Sequence, residues 1–342
     1  MNGPALHPRG PLRVVAIGGG TGLSALLHGL KRYARPGPIR VEITAIVTVT
    51  DDGGSSGRLR RDFDVLPPGD IRNCLVALSE DEALLSRLFQ YRFESGRGLK
   101  GHSFGNLFLT ALTHITGDFS EAVRHSAEVL AVAGHIYPST ASNVVLEATL
   151  ADGSTVCGET RISRSTQWIR EIRLQPRRVR PLAAALEAIR QADLITLGPG
   201  SLFTSVIPNL LVSGISKAVR ASPALKAYFV NLMWQPGETI EFLASDHVRA
   251  IHQHARGPLI DVAVMNSGIV RQATRRRYAR NQAEPVGNDV EAVRAMGVDV
   301  LLENLLMDDK VVRHDPTAVA AVALKLARAG RRNRKRRADD AK

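Results

Sequence analysis

The run Ile43-Thr44-Ala45-Ile46-Val47-Thr48-Val49-Thr50 is apolar or β-branched throughout, and it stops at Asp51-Asp52-Gly53-Gly54-Ser55-Ser56-Gly57. Such a run predicts a strand buried on both faces, as in a parallel sheet. The switch to acids, glycines and serines is not a packing solution. It gathers carboxylates, hydroxyls and free backbone N–H groups at a strand's carboxyl end, where open α/β sheets bind ligands. The stretch closes on Pro67-Pro68-Gly69-Asp70-Ile71-Arg72-Asn73, which adds Asp70 and Asn73 to the candidates. A dinucleotide site would need one acid here to hold a ribose. Two acids, Gly53, Gly54, Ser55 and Ser56, with Arg58, Arg60 and Arg61 following, suit a phosphate nest or a Mg²⁺-assisted diphosphate better. The alternatives are a solvated flexible loop and, for Asp70, an N-cap.

Two other segments have the form strand, glycine turn, helix. Leu12 to Ile17 leads into Gly18-Gly19-Gly20-Thr21-Gly22, and a helix pattern follows with Leu23, Leu26, Leu27 and Leu30 on one face. Asp193 to Leu197 leads into Gly198-Pro199-Gly200-Ser201-Leu202-Phe203-Thr204-Ser205 and an apolar helix. Each turn presents N–H groups and a helix N-terminus to an anion, or is a plain tight βα turn. In the first, Leu23 replaces the third glycine of the dinucleotide fingerprint. Two such turns in one sheet say more than either alone.

The rest of the chain alternates. Helices are expected at Ile71–Leu78 and Glu82–Tyr91, with Asp70 and Asp81 as caps. His102-Ser103-Phe104-Gly105-Asn106 opens a further helix that puts His102 and Asn106 on one face. Asp152-Gly153 between β-like runs signals a hairpin, with a third strand at Ile169–Leu174; this antiparallel insert, about residues 135–176, is a lid or a dimer surface. Asn231 and Gln235 follow a later strand, as turn or site residues. His252 and His254 read as surface residues, and Arg275 to Arg277 as a solvated face. The fold class is therefore α/β, Rossmann-like, with helices on both faces of a mostly parallel sheet and a small antiparallel insert.

Composition narrows the class. With 342 residues, 44% hydrophobic and 5% aromatic, the chain suits one large α/β domain, here residues 13–327 after an N-terminal arm, 1–12, expected to be flexible. No apolar run approaches the roughly 20 residues needed to span a bilayer, and no signal peptide is evident, so no membrane partner is expected. Cys74 and Cys157, far apart, fit a reducing cytoplasm. The net charge is +12, of which +6 falls in the last 15 residues. That block, 328–342, reads as a disordered solvated tail, with polyanion binding as the alternative; nucleic acid is not expected elsewhere.

The chain resembles the YvcK-type gluconeogenesis-factor family of the CofD-like superfamily. The resemblance is carried by VVAIGGGTGLS at Val14–Ser24, ITAIVTVTDDGGSSGRLR at Ile43–Arg60, PPGDIRNCLVALS at Pro67–Ser79, GHSFGNL at Gly101–Leu107, LGPGSLFTSVIPNLL at Leu197–Leu211, QPGET at Gln235–Thr239, ASDH at Ala244–His247 and VRHD at Val312–Asp315. It implies a three-layer α/β/α fold in a cytoplasmic protein tied to gluconeogenic growth, cell shape and envelope synthesis. It also implies a UDP-sugar ligand such as UDP-N-acetylglucosamine. The related CofD enzymes are Mg²⁺-dependent transferases that use a nucleotide-diphosphate donor, so enzyme and regulatory binding protein both stay open. By motif, Gly19, Gly20, Thr21, Gly22, Gly198, Pro199, Gly200 and Ser201 line the nucleotide site. Asp51 and Asp52 take the acidic position near the metal, catalytic only in an enzyme, and Arg313 matches an arginine linked to UDP-sugar binding. Pro316 stands where relatives carry Thr. A homo-oligomer is compatible with all of this.

Overall fold

The computed structural model describes residues 10–80, 84–309 and 311–339. Seven parallel strands form the central sheet: β1 (Leu12–Gly18), β2 (Val41–Val47), β3 (His135–Pro138), β7 (Leu194–Leu197), β8 (Leu225–Phe229), β9 (Val262–Asn266) and β10 (Asp299–Glu303). They lie in the order β10-β9-β8-β7-β1-β2-β3. The β-branched runs become the central strands, because a strand covered on both faces needs side chains that pack on a pleated surface. Val14, Ile17, Ile43, Ile46, Leu194 and Leu197 are fully buried.

Chain order reverses between β1 and β7, which pair in register Val14↔Leu194 to Ile17↔Leu197. Right-handed crossovers running outward from that junction place helices on opposite faces. On one face α1 (Gly20–Lys31) packs against α3 (Gly69–Leu78) and the terminal helix α14 (Pro316–Asp339). α8 (Ala183–Gln191) and α9 (Ile207–Leu211) cover β1 from the other. α1 and α14 are so close that a methyl group on Gly29 would meet the Pro316 carbonyl oxygen. No single helix among the described residues is long and apolar enough to cross a membrane.

Several boundaries differ from expectation. The insert is a three-stranded antiparallel sheet, β4 (Val145–Leu150), β5 (Thr155–Cys157) and β6 (Ile169–Gln175), in the order β5-β4-β6. It starts later than residue 135, since β3 pairs with β2 in the main sheet. The glycine-serine stretch is not a loop but the first turn of α2 (Gly54–Phe63), with Gly53 as its cap residue. VRHD forms β12 (Val312–His314), paired antiparallel with β11 (Leu306–Asp308).

The basic segment expected to be disordered continues α14 as far as Asp339. The reason lies outside the segment: Arg331 donates to the buried Asp193 at 2.5 Å and to the carbonyl of Gly10, and Arg334 donates to the carbonyl of Gln191. These bonds tie the helix to the amino end of the sheet. Of the arm, residues 1–9 lie outside the described residues; Leu12 already belongs to β1.

His252 and His254 are not surface residues either. Each accepts a backbone N–H through Nε2, from Ile260 and Ile172 respectively. They are structural staples between α11 (Ala244–His254), the strand that follows it and the insert.

Candidate functional site

The two glycine turns touch across the β1/β7 junction. A methyl group on Gly22 would stand 2.6 Å from the Pro199 carbonyl oxygen, and one on Gly200 3.2 Å from that of Gly19. Only glycine permits this approach, and Gly20 also takes a positive φ of 63°. Beside the contact opens a cleft of about 220 Å³ lined by Gly19, Gly20, Thr21, Gly22, Gly200, Ser201, Asn231, Gln235 and Arg313. Thr21, Ala25, Arg313 and His314 lead on into a wider compartment of about 530 Å³ over α1, which Asn73 also lines. The cleft lies at the carboxyl ends of the strands and at the topological switch point, the general ligand position in this architecture. Gly198 and Pro199 shape the turn from behind, and Ser205 faces the cleft alongside Ser201.

A polar chain runs along one wall. Gln235 Nε2 donates to Ser201 Oγ at 2.7 Å, and Asn231 Nδ2 donates to Gln235 Oε1 at 2.7 Å. Asn231 Oδ1 is left buried without a partner. His314 Nε2 is in the same condition; burial lowers its imidazole to about 4, against a hydrogen bond with the Val230 backbone. His314 is thus neutral near pH 7, and both unpartnered atoms stand at a ligand cleft. Buried polar atoms normally find partners. Arg313, exposed on β12, brings a cation to the rim.

Neither helix N-terminus is free for a phosphate in the way the glycine turns suggest. The Gly20 N–H binds the carboxylate of Asp70, which lies 2.5 Å from where a Gly19 methyl would be. Asp70 is therefore not the cap of its own helix: α3 starts at Gly69, and no side chain caps it. At the second turn, Glu238 accepts from the Phe203 N–H at 3.1 Å and from Thr204 Oγ1 at 2.9 Å. Thr204 is fully engaged there and does not line the cleft. Two buried side-chain carboxylates occupy donors that a ligand phosphate would otherwise use.

Beneath the first turn the acids accumulate. Burial, with Asp51 adding to it, pushes Asp70 up to about 7. Asp51 accepts from the Gly53 N–H at 2.8 Å. Its other oxygen faces Gly69, and Ser56 Oγ faces the same glycine. Asp52 turns the other way and accepts from Thr160 N–H and Oγ1 at 2.8 and 2.7 Å. Asp51 and Asp52 are therefore splayed rather than paired. The insert supplies Thr160 and, on α7 (Glu159–Ile162), Glu159, whose Oε2 is sealed from solvent without a partner. Burial and then Asp51 raise the Glu159 carboxyl well above its ordinary range. So the insert closes the acidic side of the site. Among the described residues no three of His, Cys, Asp and Glu are placed to hold a metal ion by themselves.

Behind the acids, Ser55 Oγ and His102 Nδ1 are 3.0 Å apart, and Asn106 Nδ2 donates to Ser56 Oγ at 3.4 Å. His102 precedes α5 (Phe104–Thr116) rather than sharing a face with Asn106; Ser103 caps that helix by accepting from the Asn106 N–H. This network supports the start of α2. Asp81 lies outside the described residues. Sequence reasoning missed Glu159, Thr160, Glu238 and the role of His314. Their signals are weak because each reaches the site from a distant element.

A cleft between two βα turns at the switch point of a parallel sheet defines a three-layer, Rossmann-like α/β protein. The sequence model of the CofD family, described as 2-phospho-L-lactate transferase CofD, matches residues 14–306. The "Gluconeogenesis factor" of Bacillus subtilis is 47% identical over 92% of this chain and 98% of its own, and that of Halalkalibacterium halodurans 46% over 91% and 95%. A crystal structure of a Bacillus halodurans protein superposes with a TM-score of 0.89 at 46% identity, covering 92% of this chain and all of that one. The chain belongs to the YvcK-type gluconeogenesis-factor family within the CofD-like proteins.

Proposed function

We propose that the chain is a regulatory protein that binds a UDP-sugar, UDP-N-acetylglucosamine being the type ligand, in the cleft between Gly20 and Gly200. The observation that carries this reading is the join of two compartments at Arg313 and His314. One compartment, with the Ser201–Gln235–Asn231 chain along its wall and Arg313 at its rim, suits the nucleotide and its diphosphate. The wider one suits the sugar. Asn231 Oδ1 and His314 Nε2 are unpartnered acceptors, fit for hydroxyl or imide N–H groups. Binding without turnover is favoured because Asp52 is committed to Thr160 and one oxygen of Asp51 to Gly53. The relatives' names, "Gluconeogenesis factor", support a role in gluconeogenic growth; in this reading occupancy reports nucleotide-sugar supply, with cell shape and envelope synthesis as its outputs.

Calorimetric titration with UDP-N-acetylglucosamine tests this. Saturable binding is expected, and Arg313→Ala should weaken it by about tenfold, the worth of one charge-assisted contact to phosphate. No heat at millimolar ligand would refute the reading.

A second reading, a transferase, rests on Asp51, Asp70 and Glu159. Their carboxyls crowd one side of the site, and burial together with Asp51 raises Asp70 and Glu159, so a cation placed among them would draw off their protons. Mg²⁺ commonly binds one or two carboxylates and completes its shell with phosphate oxygens and water, so these residues fit it only together with a diphosphate ligand. When bound it would neutralise charge on the diphosphate. Mass spectrometry after incubation with nucleotide-diphosphate donors would detect a product, and Asp51→Asn should abolish it.

A further inference from the structure

At the end of the sheet opposite the cleft lies a groove of about 490 Å³. One wall is the segment Pro38-Ile39-Arg40 before β2, and the other is the last turns of α14, with Arg328, Arg332, Lys335 and Arg336. On a helix Arg328, Arg332 and Arg336 recur every four residues and share one stripe about 12 Å long, with Lys335 three residues from Arg332 on its flank. Among the described residues none of the four, nor Arg40, forms an ion pair with a carboxylate. Arg331 differs: it is spent on Asp193 and fixes the helix in place.

This arrangement is unfavourable when empty. Arg328 with Arg332, and Arg332 with Arg336, are like-charged pairs one turn apart, which weaken a helix. The helix nevertheless continues through them, held by Arg331 and Arg334. Leu12, with Pro38 and Ile39 of the first wall, gives the groove an apolar side. Guanidinium groups beside such apolar surface bind phosphate bidentately and more strongly than in open water. The volume falls in the range of small-molecule sites, roughly 300–1,000 Å³. The concave shape does not match a flat membrane, and no aromatic side chain lines it to stack a base.

We propose that this groove is a second ligand site, for a compact metabolite carrying two or more phosphates, separate from the cleft and independent of what the cleft binds. Arg40 from one wall and Arg332 and Arg336 from the other clasp the phosphates.

Inorganic tripolyphosphate is the probe, titrated into the full-length protein by calorimetry at low ionic strength, with sulfate and a short DNA duplex as comparators. One saturable site is expected, at least about tenfold tighter for tripolyphosphate than for sulfate and weakened by added salt. Arg332→Gln with Arg336→Gln should lower the affinity at least about tenfold while circular dichroism and melting stay near those of the parent. Arg40→Ala, on the opposite wall and outside any helix, should lower it too, which keeps the test valid if the helix variants fold poorly. Equal affinity in the Arg40 variant would overturn the groove, leaving a merely basic helix. Tighter binding of the duplex than of tripolyphosphate, with the same residues needed, would overturn the small-molecule assignment in favour of a nucleic-acid surface.

Discussion

Asp70 sits where two demands conflict. It satisfies the Gly20 N–H, yet burial and Asp51 push its carboxyl up to about 7. In the unfolded chain it ionises at an ordinary carboxylate pKa, so between about pH 4 and pH 7 the folded state holds the extra proton. Its effect on stability is therefore a loss as pH rises through that window. Asp70→Asn keeps an acceptor for Gly20 and cannot ionise. The variant should gain on the parent from about pH 4 to pH 7, to an order of 2–4 kcal/mol, and hold that difference above pH 7. Urea unfolding of both proteins across the range measures it, and a constant difference would refute the assignment. The comparison must be between proteins. His247 and His314, both lowered to about 4 by burial, act oppositely and lose the parent stability as pH falls below about 6.5. At this scale the sequence was informative where the chemistry is local. Gly19 to Gly22, Gly200 and Ser201 announce themselves, since a turn that lets backbones touch tolerates few other residues. Thr204 misled because a hydroxyl at a helix start looks alike whether it faces a ligand or a buried Glu238.

Strands were the most legible elements. Ile43–Val47 and Leu194–Leu197 carry β-branched runs that no amphipathic helix would use. α2 was not legible, because Gly-Ser-Ser-Gly has low helix propensity and tertiary contacts stabilise it: Ser55 with His102, Ser56 with Asn106, and the buried Leu59. The end of α14 was misread for a related reason: a charge run predicts solvation, and nothing in it shows that Asp193 waits buried at the head of β7. Asp193 is 3% exposed at its side chain and depends on Arg331 at 2.5 Å, with Arg334 further off at 3.8 Å. Arg331→Ala should cost about 3 kcal/mol, because it strips the close cation from a buried charge and leaves Asp193 Oδ2 only the Arg13 N–H at 3.0 Å as a near partner. Chemical denaturation measures the loss. Loss of helix signal in parallel would show that the same bond holds the end of α14.

The strand order could not be read from alternation alone. Strands and helices alternate identically whichever side of β1 the later units join, and only the assembled sheet sets β7 beside β1. That placement brings the two glycine turns together and creates the cleft. The insert was legible as a hairpin but not as a wall. Its contact with the acids is made by Thr160, 108 residues from Asp52. α14 spans the remaining distance. Its first residue, Pro316, borders the wider compartment beside His314, and its last turns form the basic groove. With 24 residues it is a rod of about 36 Å lying along α1. One element thus links the two sites, and any coupling between the cleft and the groove passes along this rod. Thermodynamic reciprocity then fixes the signature: whatever factor a saturating UDP-sugar imposes on tripolyphosphate affinity, saturating tripolyphosphate must impose on the UDP-sugar. Titrations run in both orders measure that factor. A factor of one would mean that the rod is a strut between two independent sites; any other value would make the chain a lever that weighs a sugar nucleotide against a phosphate-rich signal.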